Sequence, residues 1–235
     1  MPFMFQAPRP VQIPFRHSFI RGIRLGMPIF LGYFPVGMAF GILATTAGFG
    51  PLQAVACSAF ALAGAGQFIG LSLMPAANVF GVLVATTVVN LRYVLFGATM
   101  SPFLRDTTLP TQAALAFSLT DETFAVNIAD HKQGLATPTS MAGVGAIAWV
   151  GWVGGTMVGA YAASLVGDPA RFGVEFAMPA MFTALLVGQI ERKRHIVVAA
   201  ISAAIAVPLV TVLPNKWYLI IASMAAAAIG AVVYR

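Results

Sequence analysis

The stretch that decides the fold, residues 26–47, reads GMPIFLGYFPVGMAFGILATTA. It has no charged side chain, and about 20 apolar residues are enough for a helix to cross the hydrocarbon core of a bilayer. The rest of the 235-residue chain resembles it, since 59% of all residues are hydrophobic and 9% are charged. Ordinary soluble domains carry about 25% charged residues. The sequence therefore predicts an integral membrane protein.

Similar apolar segments follow along the chain. Together with the first, the predicted spans are 26–47, 51–74, 76–99, 112–130, 140–166, 174–190, 196–213 and 217–234. Two of these, the acid-containing 112–130 and the short 174–190, are weak as full crossings. We predict an all-α polytopic membrane protein with seven or eight transmembrane or partial helices, several of them broken by Gly or Pro. Residues 1–25 are predicted as a cytoplasmic tail, and 26–235 as a single transmembrane domain.

Basic residues predict the orientation. The net charge of +6 does not indicate a nucleic-acid partner, because the bases lie in short groups beside apolar segments. Such groups stay on the cytoplasmic side of a membrane. One group is Arg16, Arg21 and Arg24 before the first span, and the other is the stretch ERKRH at 191–195. Eight crossings place both groups and both chain termini in the cytoplasm.

Motifs of common enzymes and metal sites are absent from the sequence. It contains no Walker motif, no HExxH spacing and no serine elbow. The single cysteine, Cys57, lies in an apolar run, so the chain can form neither an intramolecular disulfide nor a multi-cysteine metal site. We therefore expect no catalytic residue, no cofactor and no metal, and a protein that is not an enzyme.

An internal duplication is left open. The shift that aligns Gly41 with Gly159 also aligns Pro51 with Pro169, and each pair lies near the end of one span and the start of the next. Duplicated halves are common in transporters, but such coincidences are also common in chains rich in Ala and Gly.

The first span contains Pro28 and Pro35 among several glycines. Each proline removes a backbone donor, so the helix is expected to kink or unwind near Pro35 and Gly37. Irregular backbone inside a membrane is tolerated where it faces protein or a water-filled cavity, as at a substrate site. The alternative is a structural kink, with the glycines serving for close helix packing.

The second span has the small-residue run AGAGQF at residues 63–68. Gly64 and Gly66 allow a close approach of two backbones and weaken the helix enough for local unwinding. Gln67 brings an amide into this run, and a buried amide must satisfy both donors and acceptors. It is expected either to hydrogen-bond another helix or to contact a zwitterionic ligand.

Asn90 and Arg92 lie in the third span, within NLRYVLFGA at residues 90–98. A guanidinium at the centre of a transmembrane helix costs about 2.5 to 3.5 kcal/mol on insertion scales. Arg92 is therefore expected either to extend to the interface or to pair with a carboxylate. The acids that can supply it are Asp121 and Glu122.

These two acids occupy the middle of the fourth segment, and neighbouring residues on a helix point about 100° apart. Their roles should therefore differ: one pairs with Arg92, and the other binds a cationic group or carries a proton. We favour Asp121 for the ion pair and Glu122, one turn after Ser118, for the proton carrier. The alternative is an interfacial segment with both acids in water.

Four motifs occur together in this order: P-x-G-x-x-FG at 35–41, AGAGQF at 63–68, NLRYVLFGA at 90–98 and TDETFA at 120–125. From about residue 16 onward the chain resembles the AzlC-type large subunit of bacterial branched-chain amino-acid exporters. This resemblance implies a plasma (inner) membrane protein that exports Leu, Ile, Val and sometimes Met or analogues. It also implies a small AzlD-type membrane subunit as partner and coupling to the proton gradient.

The leading hypothesis is thus a secondary exporter of neutral branched-chain amino acids. The substrate carboxylate is expected on Arg92 or on helix-terminal N–H groups near Gly37 or Gly64, and the ammonium on Asp121 or Glu122. The predicted substrate-binding residues are Pro35, Gly37, Gly64, Gly66, Gln67, Asn90 and Arg92, and the predicted apolar pocket is Phe34, Met38, Phe40 and Phe68. The alternative is a non-transporting scaffold subunit of a larger membrane complex.

Overall fold

The structure, a computed structural model, describes residues 14–74, 79–165, 192–212 and 217–233, with isolated positions between 173 and 190. These residues form helices and no strand. The helices are α1 (Phe15–Thr46), α2 (Pro51–Phe60), α3 (Gly64–Leu73), α4 (Val79–Asn90), α5 (Arg92–Met100), α6 (Leu109–Phe117), α7 (Asp121–Lys132), α8 (Pro138–Ala162), α9 (Lys193–Val212) and α10 (Trp217–Val233). Short 3-10 helices cover Ser101–Leu104 and Ala163–Leu165. The predicted all-α fold is confirmed.

Among the described residues, four helical segments are long and apolar enough to cross a membrane: Phe15–Thr46, Val79–Leu104, Pro138–Ala162 and Lys193–Val212. The second of these comprises α4, α5 and the 3-10 helix that follows. The number of crossings stays a prediction. Several predictions fall outside the described residues: the tail up to residue 13, most of the span 174–190, Pro169 of the proposed duplication, Glu191 of the basic group, and the C-terminal Arg235.

The first helix differs from its prediction at two points. It begins at Phe15, directly after Pro14 and inside the predicted tail. It also continues through Pro28 and Pro35 without unwinding. Each proline removes only one hydrogen bond, and transmembrane helices tolerate this loss where neighbouring helices support them. The support in this chain comes from α8.

Helices α1 and α8 run side by side in the same direction. Gly22, near the start of α1, packs on Ser140 near the start of α8, and Gly41, near the end of α1, packs on Gly159. Between them, a Cβ at Gly37 would lie 2.6 Å from the Trp152 carbonyl oxygen. Glycine thus brings the two backbones together. Gly41 and Gly159 are also the residues that the proposed duplication aligns, although the duplication itself stays a prediction.

The second predicted span is interrupted at residues 61–63, between α2 and α3. Ala61 leaves the helical conformation, with φ −128° and ψ 76°. The carbonyl groups at the end of a helix need new partners, and Trp149 Nε1 of α8 donates to the Ala59 oxygen at 3.0 Å. The third span shows a single-residue turn at Leu91, between α4 and α5.

The fourth predicted span is interrupted as well, at residues 118–120. Thr120 caps the start of α7 in a capping box: its Oγ1 accepts from the Thr123 N–H at 3.3 Å, and its own N–H donates to Thr123 Oγ1 at 2.7 Å. These bonds satisfy backbone donors at the new helix start. Ser118 consequently lies in the break and not on the helix of Glu122, so the expectation that these two residues share one helix face was wrong.

The chain forms two compact units. The first comprises residues 1–67 and 90–177, and the second comprises residues 68–89 and 178–235. In the first, an apolar cluster of Met100, Leu104, Leu115, Leu119 and Met141 joins α5, α6 and α8. In the second, α9 and α10 pack together, with Gly230 close to Val198. Every residue predicted for the site lies in the first unit, except Phe68.

Candidate functional site

Arg92 forms an ion pair across the broken helices. Its Nη1 lies 3.0 Å from Oδ1 and 2.8 Å from Oδ2 of Asp121. Asp121 is the first residue of α7, where the helix dipole favours a negative charge. Of the two acids that the sequence offers to Arg92, the structure pairs it with Asp121.

Glu122 has a different partner, which the sequence analysis missed. The Tyr33 hydroxyl of α1 donates to Glu122 Oε2 and lies 2.7 Å from Thr120 Oγ1. Asp121 and Glu122 therefore sit in separate environments although they are adjacent in the chain. The available signal was a tyrosine in the middle of an apolar span, because a buried phenol usually finds a hydrogen-bond partner.

Gln67 is buried and hydrogen-bonded at both ends of its amide. Trp152 Nε1 donates to Gln67 Oε1 at 2.7 Å, and Gln67 Nε2 lies 3.2 Å from Ser58 Oγ and 3.4 Å from Cys57 Sγ. Thr156 of α8 extends the network to Ser58 at 2.8 Å. The amide thus forms the interhelical contact that the sequence offered as one alternative.

Trp152 connects these two polar groups and was also missed from the sequence. Its indole lies edge-on to the Tyr33 ring, with centroids 5.4 Å apart, and stacks on Phe40 at 6.4 Å. A Cβ at Gly64 would come within 2.8 Å of the indole. Gly64 is therefore required for Trp152 to reach Gln67.

Asn90 lies beside Gly66, where an added Cβ would be 2.9 Å from Nδ2 and 3.2 Å from Oδ1 of the amide. Among the described residues, the buried side-chain atoms without a hydrogen-bond partner are Asn90 Oδ1 and Arg92 Nε. Buried polar groups are rarely left unpaired in proteins. This corner of the site thus holds one free acceptor and one free donor.

The remaining predicted residues mostly lie away from the polar groups described above. Pro35 is exposed on α1, and Gly37 serves the packing of α1 against α8. Since α1 is continuous, no helix-terminal N–H groups exist at Gly37, and that predicted carboxylate site is wrong. Of the four apolar pocket residues, Phe40 reaches Trp152; the Phe34 and Met38 backbones contact glycines of α8, and Phe68 belongs to the second unit.

A second ion pair lies at the other end of α7. Arg21 of α1 bonds both carboxylate oxygens of the buried Asp130, with Nη1 2.8 Å from Oδ2, and it donates to the Leu135 carbonyl at 3.2 Å. Next to it, His131 stacks on Phe103 at 4.3 Å, and burial lowers the pKa of its imidazole. In the sequence, Arg21 stands out only as an orientation signal.

The chemistry that this arrangement supports is the binding of polar and charged groups. The described residues contain no group of three His, Cys, Asp or Glu side chains that could hold a metal ion. What they do contain is a set of partly buried charges and of amides at helix interruptions. In membrane proteins, intramembrane charges of this kind mark substrate and ion pathways.

Comparison with known proteins gives a consistent result. The family model described as AzlC protein matches residues 28–166. Inner membrane protein YgaZ of Escherichia coli (strain K12) is 33% identical over 202 residues, which cover 83% of this chain and 82% of that protein. An uncharacterized membrane protein of Helicobacter pylori (strain J99) is 33% identical over 88% of this chain and 92% of its own length. Branched-chain amino acid transport protein AzlC of Bacillus subtilis (strain 168) is 28% identical over 72% of this chain and 67% of its own length. No solved structure matches the chain.

Proposed function

Because the chain belongs to the AzlC family, we propose that it is the large subunit of a secondary transporter that exports neutral branched-chain amino acids. The substrates are Leu, Ile and Val, with Met or analogues, since an apolar pocket discriminates one methylene by only about 1 to 3 kcal/mol. The name of the Bacillus subtilis relative supports the substrate class. A small AzlD-type membrane subunit is the proposed partner.

The observation that carries this proposal is the partly buried charge at the helix interruptions. Arg92, Asp121 and Glu122 lie where α4 meets α5 and where α7 begins. Charges inside a membrane protein are costly and are kept where they serve transport. Interrupted helices are tolerated where they line a site. A protein with only a scaffold role has no need for either feature.

Proton coupling is assigned to Glu122. Its partner is the Tyr33 hydroxyl, and a hydroxyl can donate to a carboxylate or accept from a carboxylic acid. The Asp121 carboxylate faces the permanent charge of Arg92, so protonation of Asp121 would break an ion pair. Glu122 is therefore the acid that can change its protonation state at the smaller structural cost.

Flux measurements test this function. Proteoliposomes contain the chain with its small partner and are loaded with labelled leucine. Glu122→Gln, which mimics the protonated acid, should still exchange leucine but lose acceleration of net export by a pH gradient. Asp106→Asn, at an exposed acid in a loop, is the control and should keep the gradient response.

Two outcomes contradict parts of the proposal. Gradient-driven export by Glu122→Gln at the native rate excludes this residue from coupling. Absence of leucine flux from the native chain with its partner excludes the transport function and favours the scaffold alternative.

The proposed orientation places both termini and the 191–195 group in the cytoplasm of a bacterial cell. Lys193→Cys on a Cys57→Ser background tests it, because Lys193 is exposed and serine keeps a hydrogen-bond acceptor for Gln67. An impermeant thiol reagent should fail to label intact cells and should label opened ones. Labelling of intact cells would show that residue 193 lies outside the cell and would contradict the proposed orientation.

A further inference from the structure

We propose that Asn90 and Arg92 bind the two charged ends of one α-amino acid zwitterion: Arg92 Nε donates to its carboxylate, and Asn90 Oδ1 accepts from its ammonium group. This inference rests on the proposed function and deepens it, because it assigns each end of the substrate to one atom of the chain. It also gives Asp121 the role of counter-ion instead of ammonium ligand.

The first support is the pairing state of these two atoms. Both are buried, and neither has a hydrogen-bond partner among the described residues. A buried polar atom without a partner lowers stability, so such atoms in native proteins call for an explanation. One of them is a donor on a permanent cation and the other is a neutral acceptor, and they lie two residues apart in the chain.

The second support is that the surrounding contacts hold both groups in place. Gly66 approaches the Asn90 amide so closely that an added Cβ would be 2.9 Å from Nδ2. Asp121 takes Nη1 of Arg92, at 3.0 Å and 2.8 Å to its two oxygens. A guanidinium has five donors in a fixed plane. With one of its nitrogens engaged by Asp121, the orientation of Nε is set, and Nε stays available.

The third support is charge. Arg92 and Asp121 neutralise each other, so a ligand without net charge adds no net buried charge. A carboxylic acid without an amino group would leave Asn90 Oδ1 unpaired and add a negative charge. An amine without a carboxylate would bring a second positive charge toward Arg92. A zwitterion satisfies the donor with its carboxylate and the acceptor with its ammonium, which matches the two free atoms.

Binding of labelled L-leucine to the chain with its small partner tests this assignment. Leucinamide, which lacks the carboxylate, and 4-methylpentanoate, which lacks the amino group, serve as competitors. Arg92→Lys keeps a cation for Asp121 but has no Nε. We expect leucine affinity to fall about tenfold or more, as for a lost hydrogen bond to a charged group, while leucinamide competes as it does against the native chain.

Asn90→Leu is the complementary variant, because it keeps a side chain of similar length without the acceptor. Leucine affinity should again fall about tenfold, whereas 4-methylpentanoate should compete as before. The melting temperature of the Asn90→Leu variant should not decrease, because the change removes an unpaired buried oxygen. A purely structural role for Asn90 predicts the opposite. Arg21→Lys, at the other ion pair of α7, is the matched control and should bind leucine like the native chain.

Each remaining outcome decides the question. Leucine affinities of both variants within twofold of the native value overturn the assignment while the proposed function stands. Equal losses for leucine and both competitors also overturn it, because the residues would then act on the fold. If the native chain does not bind leucine, the proposed function fails and this inference fails with it. Should Arg92→Lys not fold, the competitor pattern of Asn90→Leu decides alone.

Discussion

Helix α7 has an arginine–aspartate ion pair at each end, and the two pairs differ in how fully the arginine is used. At the end of the helix, Arg21 bonds both oxygens of Asp130 and also the Leu135 carbonyl. At the start, Arg92 bonds Asp121 through Nη1, and its Nε is buried without a partner among the described residues.

The helix dipole increases this difference. Asp121 lies in the first turn of α7, where a negative charge is favourable, and Asp130 lies near the last turn, where it is unfavourable. Asp130 thus depends on Arg21 more than Asp121 depends on Arg92. A pair in which both terminal guanidinium nitrogens are bonded serves the fold, whereas a pair with a buried, unused donor is suited to receive a ligand. Four predictions test this contrast.

The largest effect is expected at the Arg21 pair. Arg21→Ala leaves Asp130 buried without its cation and should lower the free energy of unfolding by about 2 kcal/mol, less than for a fully buried pair because Arg21 is partly exposed. Arg92→Ala should cost about half as much, since it also removes an unpaired donor. Denaturation of both variants in detergent measures the difference. If Arg92→Ala lowers the free energy of unfolding as much as Arg21→Ala does, the proposed contrast between the two ion pairs is wrong.

The second prediction concerns the coupling at the start of α7. Arg92→Asp and Asp121→Arg should each destabilise the chain, and the double variant should recover about 1 kcal/mol relative to the sum of the single changes. Recovery should be incomplete, because an arginine in the first turn opposes the helix dipole. The same unfolding measurement applies. A double variant no more stable than the sum predicts would show that the pair contributes nothing to folding.

A smaller effect is expected from the second acid at this end. Tyr33→Phe removes the hydroxyl that bonds Glu122 and lies by Thr120, and it should cost about 1 kcal/mol or less. Because Arg92 and Asp121 are untouched, leucine affinity should stay within twofold of the native value. The substitution keeps the aromatic ring, so the measured effect isolates the loss of the hydroxyl. A large drop in leucine affinity for Tyr33→Phe would place the phenol in the binding site.

The smallest effect is a pH dependence at the end of α7. Burial lowers the pKa of His131 in the folded state, so the folded chain favours the neutral imidazole. Stability is then highest above the unfolded pKa of about 6.5 and falls as the pH drops from there through the folded pKa. Melting temperatures between pH 8 and pH 5 should show this, and His131→Gln should reduce it. His17→Gln, at an exposed histidine of α1, is the control variant.

Much of the site could be predicted from the sequence because charges and amides inside apolar spans are conspicuous. Arg92, Asp121, Glu122, Gln67 and Asn90 all stand out in this way. That the two adjacent acids have different partners followed from helix geometry alone. Their partners did not all follow, because an aromatic side chain such as Tyr33 or Trp152 in an apolar span indicates that a hydrogen-bond partner is needed but not which residue supplies it.

The positions of the helix interruptions, too, could be predicted only in part from the sequence. Prolines in the first span predicted a local unwinding that the structure lacks, since α8 supports α1 through close glycine contacts. The break at residues 118–120 contains no Pro or Gly, and it depends on the capping bonds between Thr120 and Thr123. A proline in the sequence indicates that one backbone hydrogen-bond donor is missing. Whether the helix stays continuous depends on the neighbouring helices that compensate for this loss.

The sequence by itself determined that this protein is helical and resides in a membrane. It also determined which polar side chains, costly to bury, lie within the apolar segments. These properties follow from hydropathy and from the free energy of burying a charge, which are additive over short segments. Only the tertiary structure decided which of these groups meet. Tyr33 and Glu122 are 89 residues apart, and Trp152 and Gln67 are 85 apart. Such contacts depend on which helix faces pack together and where the helices break, and no local stretch of sequence contains that information.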